Sequence, residues 1–133
     1  MTYSGGHATL PYTIHAYAAA INTLNAESLA ECFAADSKLY DPADAEPFHG
    51  SAGAVSFFAQ FAPLLASIQI TPGEIHFTAN HAAFTWRLEA TGKSGRTAAA
   101  DGIDVIIFNE NGKTGTLHAS WNAGPFVATL TAV

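Results

Sequence analysis

Ile103-Asp104-Val105-Ile106-Ile107-Phe108-Asn109-Glu110-Asn111-Gly112 joins the most apolar run of the chain to a turn signal. Six residues rich in β-branched and aromatic side chains read as a strand, and Asn-Glu-Asn-Gly reads as the turn that ends it. The same grammar recurs upstream. From Ile68 onward, apolar stretches are punctuated by Asn80-His81 and by Gly92-Lys93-Ser94-Gly95. Three turn signals separate four consecutive strands, which predicts an antiparallel meander.

Toward the N-terminus the period changes from two to between three and four. Between Pro11 and Leu24, the residues Ile14, Tyr17, Ile21 and Leu24 line one face of a predicted helix, so Tyr17 points inward. Asn25 is placed to cap a second short helix running through Phe33. Ser37-Lys38-Leu39-Tyr40 is short and extended, and Pro42 pushes Asp41 away from helical angles. Asp41 therefore sits where a strand gives way to a loop. After the polar loop Ala43 to Gly50, Ser51 is the expected cap of a third helix reaching about Ser67, with Val55, Phe58, Phe61, Ala62 and Leu65 on its apolar face. Helices first and sheet afterwards is the α+β pattern: three N-terminal helices against one face of a curved, mainly antiparallel sheet. Such a cup encloses an apolar pocket.

The chain has 133 residues, 49% of them hydrophobic, enough for one core and one domain spanning residues 1–133. Five Lys plus Arg against 11 Asp plus Glu give a net charge of −6, which disfavours nucleic acid and anionic membrane surfaces as partners. No stretch approaches the roughly 20 apolar residues of a spanning helix. Met1 to Tyr12 lacks the basic start and apolar run of a secretory signal, so a cytoplasmic location is expected. A charged fraction of only 12% leaves apolar surface for a second copy of the chain. Cys32 stands alone, and His7, His15, His49, His76, His81 and His118 share no metal-ligand spacing, so no metal is expected. Neither a Gly-x-Ser-x-Gly elbow nor a P-loop is present.

Within the apolar run, Asp104 is the anomaly. Alternation puts it on one face with Ile106 and Phe108, where burial would raise its pKa and keep it protonated as a hydrogen-bond donor. Taken singly, it also reads as an edge-strand carboxylate, Tyr17 as a core phenol and Asp41 as the start of an Asp-Pro turn. Together they bring a base and two donors to one interior. Asp44 and Glu46 lie near Asp41 in sequence, and their charge would raise its proton affinity. Alternation also proposes pocket walls: Phe84, Trp86 and Leu88 on one strand, Leu117, Ala119 and Trp121 on another. An ordinary packed core is the plainer reading of the same stripes.

Tyr17-Ala18-Ala19-Ala20-Ile21-Asn22, Phe33-Ala34-Ala35-Asp36, and Asp41-Pro42 with Glu46-Pro47 and Gly50 resemble the N-terminal half of bacterial ketosteroid isomerases, the steroid delta-isomerases. The spacing from Tyr17 to Asp41 matches that family without a gap. Asn80-His81-Ala82-Ala83-Phe84 is similar to a family strand entry; Ile103-Asp104, Phe108-Asn109 and Gly112-Lys113 are similar to the strand bearing its buried aspartate. Trp121 falls at an aromatic pocket position. The similarity spans Ile14 to Trp121, with a short insertion near Gly92 to Gly95.

The resemblance implies a conical α+β cup of the kind found in nuclear transport factor 2 (NTF2-like, SnoaL-like), a homodimer, and catalysis without a cofactor. It implies Asp41 as the base that shuttles a proton next to the ketone of a small apolar, steroid-like substrate. Tyr17 and protonated Asp104 would then hold the enolate oxygen. Phe58 stands where some members carry a tyrosine that extends the hydrogen-bond network, which implies a less polarised Tyr17 and a substrate-binding wall at Phe58. Two rivals share the cup: a polyketide cyclase or epoxide hydrolase with differently placed acids, and a non-catalytic module binding an apolar ligand.

Overall fold

A computed structural model describes residues 4–132, with side chains from residue 12 onward; the extreme N-terminus and the His7 side chain lie outside the described residues. Four helices pack on one six-stranded sheet. Helix α1 (Ser4–Asn22) is followed by α2 (Ala26–Glu31), β1 (Phe33–Tyr40), β2 (Phe48–His49) and α3 (Gly50–Phe61). A 3₁₀ turn at Ala62–Leu64 leads into β3 (Leu65–Thr78), β4 (His81–Gly92), β5 (Thr97–Phe108), β6 (Thr114–Ser120) and α4 (Ala123–Thr131). The α+β cup and the antiparallel β3 to β6 meander follow the expected pattern.

Several boundaries differ from the sequence reading. The first helix begins well before Pro11, and it ends at Asn22, because Leu24 takes a left-handed φ of 54° and packs against the core from outside the helix. The second helix stops at Glu31 instead of Phe33. Asn25 does cap it, its side chain accepting from the Ser28 amide at 3.0 Å, but Phe33 already belongs to β1, which is twice the expected length. The third helix starts at Gly50, with His49 and not Ser51 at the N-cap position and no side-chain capping bond, and ends at Phe61, where Ala62-Pro63-Leu64 tightens into the 3₁₀ turn. Gly50 carries the sharp entry into this helix. Its φ is +70°, and a Cβ there would lie 2.8 Å from the Ala35 carbonyl oxygen. Helix α4 was not expected at all.

The sheet runs in the order β2-β1-β6-β5-β4-β3, with β1 parallel to β6 and every other pairing antiparallel. Strand β1 thus reaches across to the far end of the meander, and Asp41 lands beside the end of β6. Strict alternation places Ala82, Phe84, Trp86, Leu88 and Ala90 of β4 inward, with Asp104, Ile106 and Phe108 of β5 on the same face. Helix α1 lays Ile14, Tyr17, Ala18 and Ile21 onto that face. The end of α1 is fastened to the sheet through Asn22, whose Nδ2 donates to the Ile70 carbonyl at 3.2 Å while its Oδ1 accepts from the Ile70 amide at 2.6 Å.

Candidate active site

Between the helices and the inner face of the sheet lies a cavity of about 310 Å³. Its wall is apolar apart from a few groups: Tyr17 of α1, Asp41 just past β1, Asp104 of β5 and Gln60 of α3. Of the residues expected to form the site, Tyr17, Asp41, Asp104, Trp86, Leu88 and Trp121 meet here. Phe58, Phe84, Leu117 and Ala119 do not line the cavity. They are buried in the layer behind it, Phe84 and Ala119 directly opposite Asp104 in the strand register and Phe58 edge-on to Phe61 at 5.1 Å.

Each carboxyl is held by one indole. Trp86 Nε1 donates to Asp104 Oδ1 at 2.8 Å, and Trp121 Nε1 donates to Asp41 Oδ1 at 2.7 Å. The two indole rings meet edge to face, with centroids 5.4 Å apart. Asp104 is 1% exposed, and its Oδ2 is buried without a partner. A buried, unpaired carboxylate oxygen is costly, so the neutral acid is the favoured form.

Burial pushes the Asp104 carboxyl up to about 8; the Trp86 hydrogen bond opposes this and the nearby charge of Asp41 adds to it. Burial likewise pushes Asp41 up to about 6, partly offset by Trp121. Asp44 and Glu46, expected to supply that rise, do not: both are surface groups of the loop, and desolvation is the cause. The Tyr17 phenol is raised well above its ordinary range, first by burial and then by the charges of Asp104 and Asp41. Around neutral pH the cavity therefore holds one ionised carboxylate and two neutral donors. This is an arrangement suited to taking a proton from carbon while a negative oxygen forms.

Sequence reasoning named Trp86 and Trp121 as walls and missed their N–H groups. The relevant signal was present, since a buried indole must find an acceptor and each expected interior carboxylate offers one. It also missed the whole C-terminal side of the cavity, where α4 contributes Ala123, Phe126, Val127 and Leu130. The signal there was the Phe126 and Leu130 pair, four residues apart, with Pro125 in the first turn. Among the described residues no group of three or more His, Cys, Asp or Glu side chains has the geometry to hold a metal ion, and no helix is long and apolar enough to cross a membrane.

Comparison with known proteins agrees with this architecture. A steroid delta-isomerase of Nocardioides simplex is 28% identical over 102 residues, covering 77% of this chain and 80% of that protein. An NTF2-like protein of unknown function from Burkholderia pseudomallei superposes with a TM-score of 0.78 at 17% identity, over 93% of this chain and 98% of the other. The epoxide hydrolase/cyclase-like enzyme SalBIII, which takes part in pyran ring formation in the polyether salinomycin, superposes with a TM-score of 0.77 at 16% identity, over 87% and 92% of the two chains. At such identities the superpositions speak for the fold alone. Residues 14–114, from the first helix through the start of β6, match the model of the SnoaL-like domain, and the chain belongs to that family.

Proposed function

We propose that this protein is a cofactor-independent ketosteroid Δ5–Δ4 isomerase, or an isomerase of a closely similar flat, apolar β,γ-unsaturated ketone. The observation that carries the reading is the convergence of half-buried Asp41, buried Asp104 and Tyr17 on one apolar cavity, where desolvation raises Asp41 to about 6 and Asp104 to about 8. In this mechanism ionised Asp41 removes a proton from the carbon between the carbonyl and the double bond. The electron pair moves into the carbonyl, and Tyr17 and neutral Asp104 donate hydrogen bonds to the dienolate oxygen. Asp41 then returns the same proton two carbons away, leaving the double bond conjugated with the ketone. No net proton is gained or lost. The apolar wall keeps water from quenching the dienolate, and donors already in place need no reorganisation as charge develops.

The similarity to a steroid delta-isomerase supports the substrate class, and a cavity near the small end of the usual ligand-site range of ~300–1,000 Å³ suits one compact ligand. The functional unit in this reading is a homodimer, which sedimentation would show as a species of twice 13.9 kDa; a monomer at micromolar concentration would refute that part. The decisive experiment follows absorbance of the conjugated enone from a Δ5-3-ketosteroid. The wild type is expected to convert it, and Asp41→Asn to lose about 10²- to 10⁴-fold in kcat, the range for removing a general base. Binding without conversion by the wild type would indicate a binding cup or a cyclase or hydrolase acting elsewhere. Neither binding nor conversion would rule out the steroid class.

A further inference from the structure

A carboxylic acid has one proton and two oxygens, and which oxygen carries the proton decides where it can donate. At Asp104 the choice is made by a neighbouring strand. We propose that Trp86, seated by Gly102, is a positioning residue that reserves Asp104 Oδ1 as an acceptor and so fixes the acid proton on Oδ2, the oxygen left free to donate to a substrate oxygen. This inference rests on the isomerase reading for its catalytic consequence, but its structural content does not.

The indole N–H can only donate. With Nε1 2.8 Å from Oδ1, that oxygen serves as the acceptor, and the carbonyl oxygen of a neutral acid accepts better than its hydroxyl oxygen, so the bond favours the acid proton on Oδ2. That oxygen is buried and has no partner. The bond depends on a cleared space. Trp86 pairs with Gly102 across the β4–β5 ladder, and Asp104 lies two residues further on the same face, a diagonal within reach of a large side chain. A Cβ at position 102 would fall 2.3 Å from Trp86 Cζ2, 2.6 Å from Cη2 and 2.7 Å from Cε2, so even alanine would drive the ring off its seat. On its other side the ring rests against Trp121, which holds Asp41. The titratable groups facing Asp104 are Tyr17 from α1 and Asp41 from the end of β1. Phe84 and Ala119 flank it in the sheet, and α4 presents Phe126 and Leu130 to the same cavity.

Two variants test the arrangement from opposite sides. Trp86→Phe keeps a ring and deletes the donor; Gly102→Ala keeps the donor and displaces it. The first readout needs no turnover: the carboxyl ¹³C titration of Asp104, assigned with Asp104→Asn, in protein labelled at aspartate. Both variants are expected to move its midpoint upward, because the indole bond favours the charged form. In steady-state kinetics both are expected to lower kcat by about 10- to 100-fold, the scale of misplacing a catalytic group, with KM changed less. The double variant should be no worse than Trp86→Phe alone within about twofold, since one lost contact cannot be lost twice. An unmoved Asp104 midpoint in either folded variant, or additive losses in the double, would overturn the proposal. A shifted midpoint in a protein that isomerises nothing would leave the proton placement standing and sink the isomerase reading instead.

Discussion

Asp41 and Asp104 are the same side chain in two environments, and the difference sets the expected response to pH. Asp41 must be ionised to accept a proton, so activity should rise as pH passes about 6. Asp104 must be protonated to donate, so activity should fall as pH passes about 8. The expected kcat/KM profile is a bell between those limits, and Asp104→Asn, which cannot ionise, should retain the acid limb and lose the alkaline one near 8. A profile flat from pH 5 to 9 would contradict the assignment of both groups. The anomaly of Asp104 was legible from sequence, because a lone carboxylate in Ile-Asp-Val-Ile-Ile-Phe has a definite face by alternation. The cause of the Asp41 shift was not, since the acids nearest in sequence, Asp44 and Glu46, turn out to be farther from mattering than the burial supplied by distant elements. The need of each buried indole for an acceptor was legible, but which tryptophan serves which carboxyl was not, because the partners stand 18 and 80 residues apart along the chain.

At the level of elements, α4 is the part that sequence pattern left unread and the cavity cannot do without. Its nine residues include Gly124, Pro125 and two threonines, a composition that argues weakly for a helix. Its stability comes instead from seating Phe126 and Leu130, 7% and 4% exposed, under the sheet. Phe126 also stacks edge-on against Trp121 at 5.4 Å. Phe126→Leu is therefore expected to raise KM for a steroid ketone by about tenfold, the scale of a changed apolar contact, with a smaller loss in kcat. Unchanged KM in the folded variant would remove α4 from substrate recognition. The strands, by contrast, announced themselves. Turn residues at Asn80, at Gly92 to Gly95 and at Asn109 to Gly112 stand where the hairpins are. The helix ends shifted because the turn at Gly50, close against the Ala35 carbonyl, and the left-handed Leu24 are settled by tertiary packing, which local sequence does not encode.

For the molecule as a whole, the sheet order β2-β1-β6-β5-β4-β3 leaves β3, 14 residues long, on an outer edge. The Asn22 side chain lends that edge one rung, engaging both the amide and the carbonyl of Ile70. Asn22→Ala should lower stability by about 1–2 kcal/mol for the two lost bonds, measured by denaturant unfolding; an unchanged midpoint would show the rung to be incidental. The larger consequence is social. A long strand whose amide and carbonyl point outward is a template on which another chain can add its own strand, and a single asparagine at the end of the first helix blocks that template at Ile70. The variant should therefore form aggregates on mild warming, seen as light scattering below the unfolding temperature, while the parent protein stays clear. Scattering from the warmed variant would give the residue that fastens the tyrosine-bearing helix a second duty, keeping copies of the molecule from zipping together.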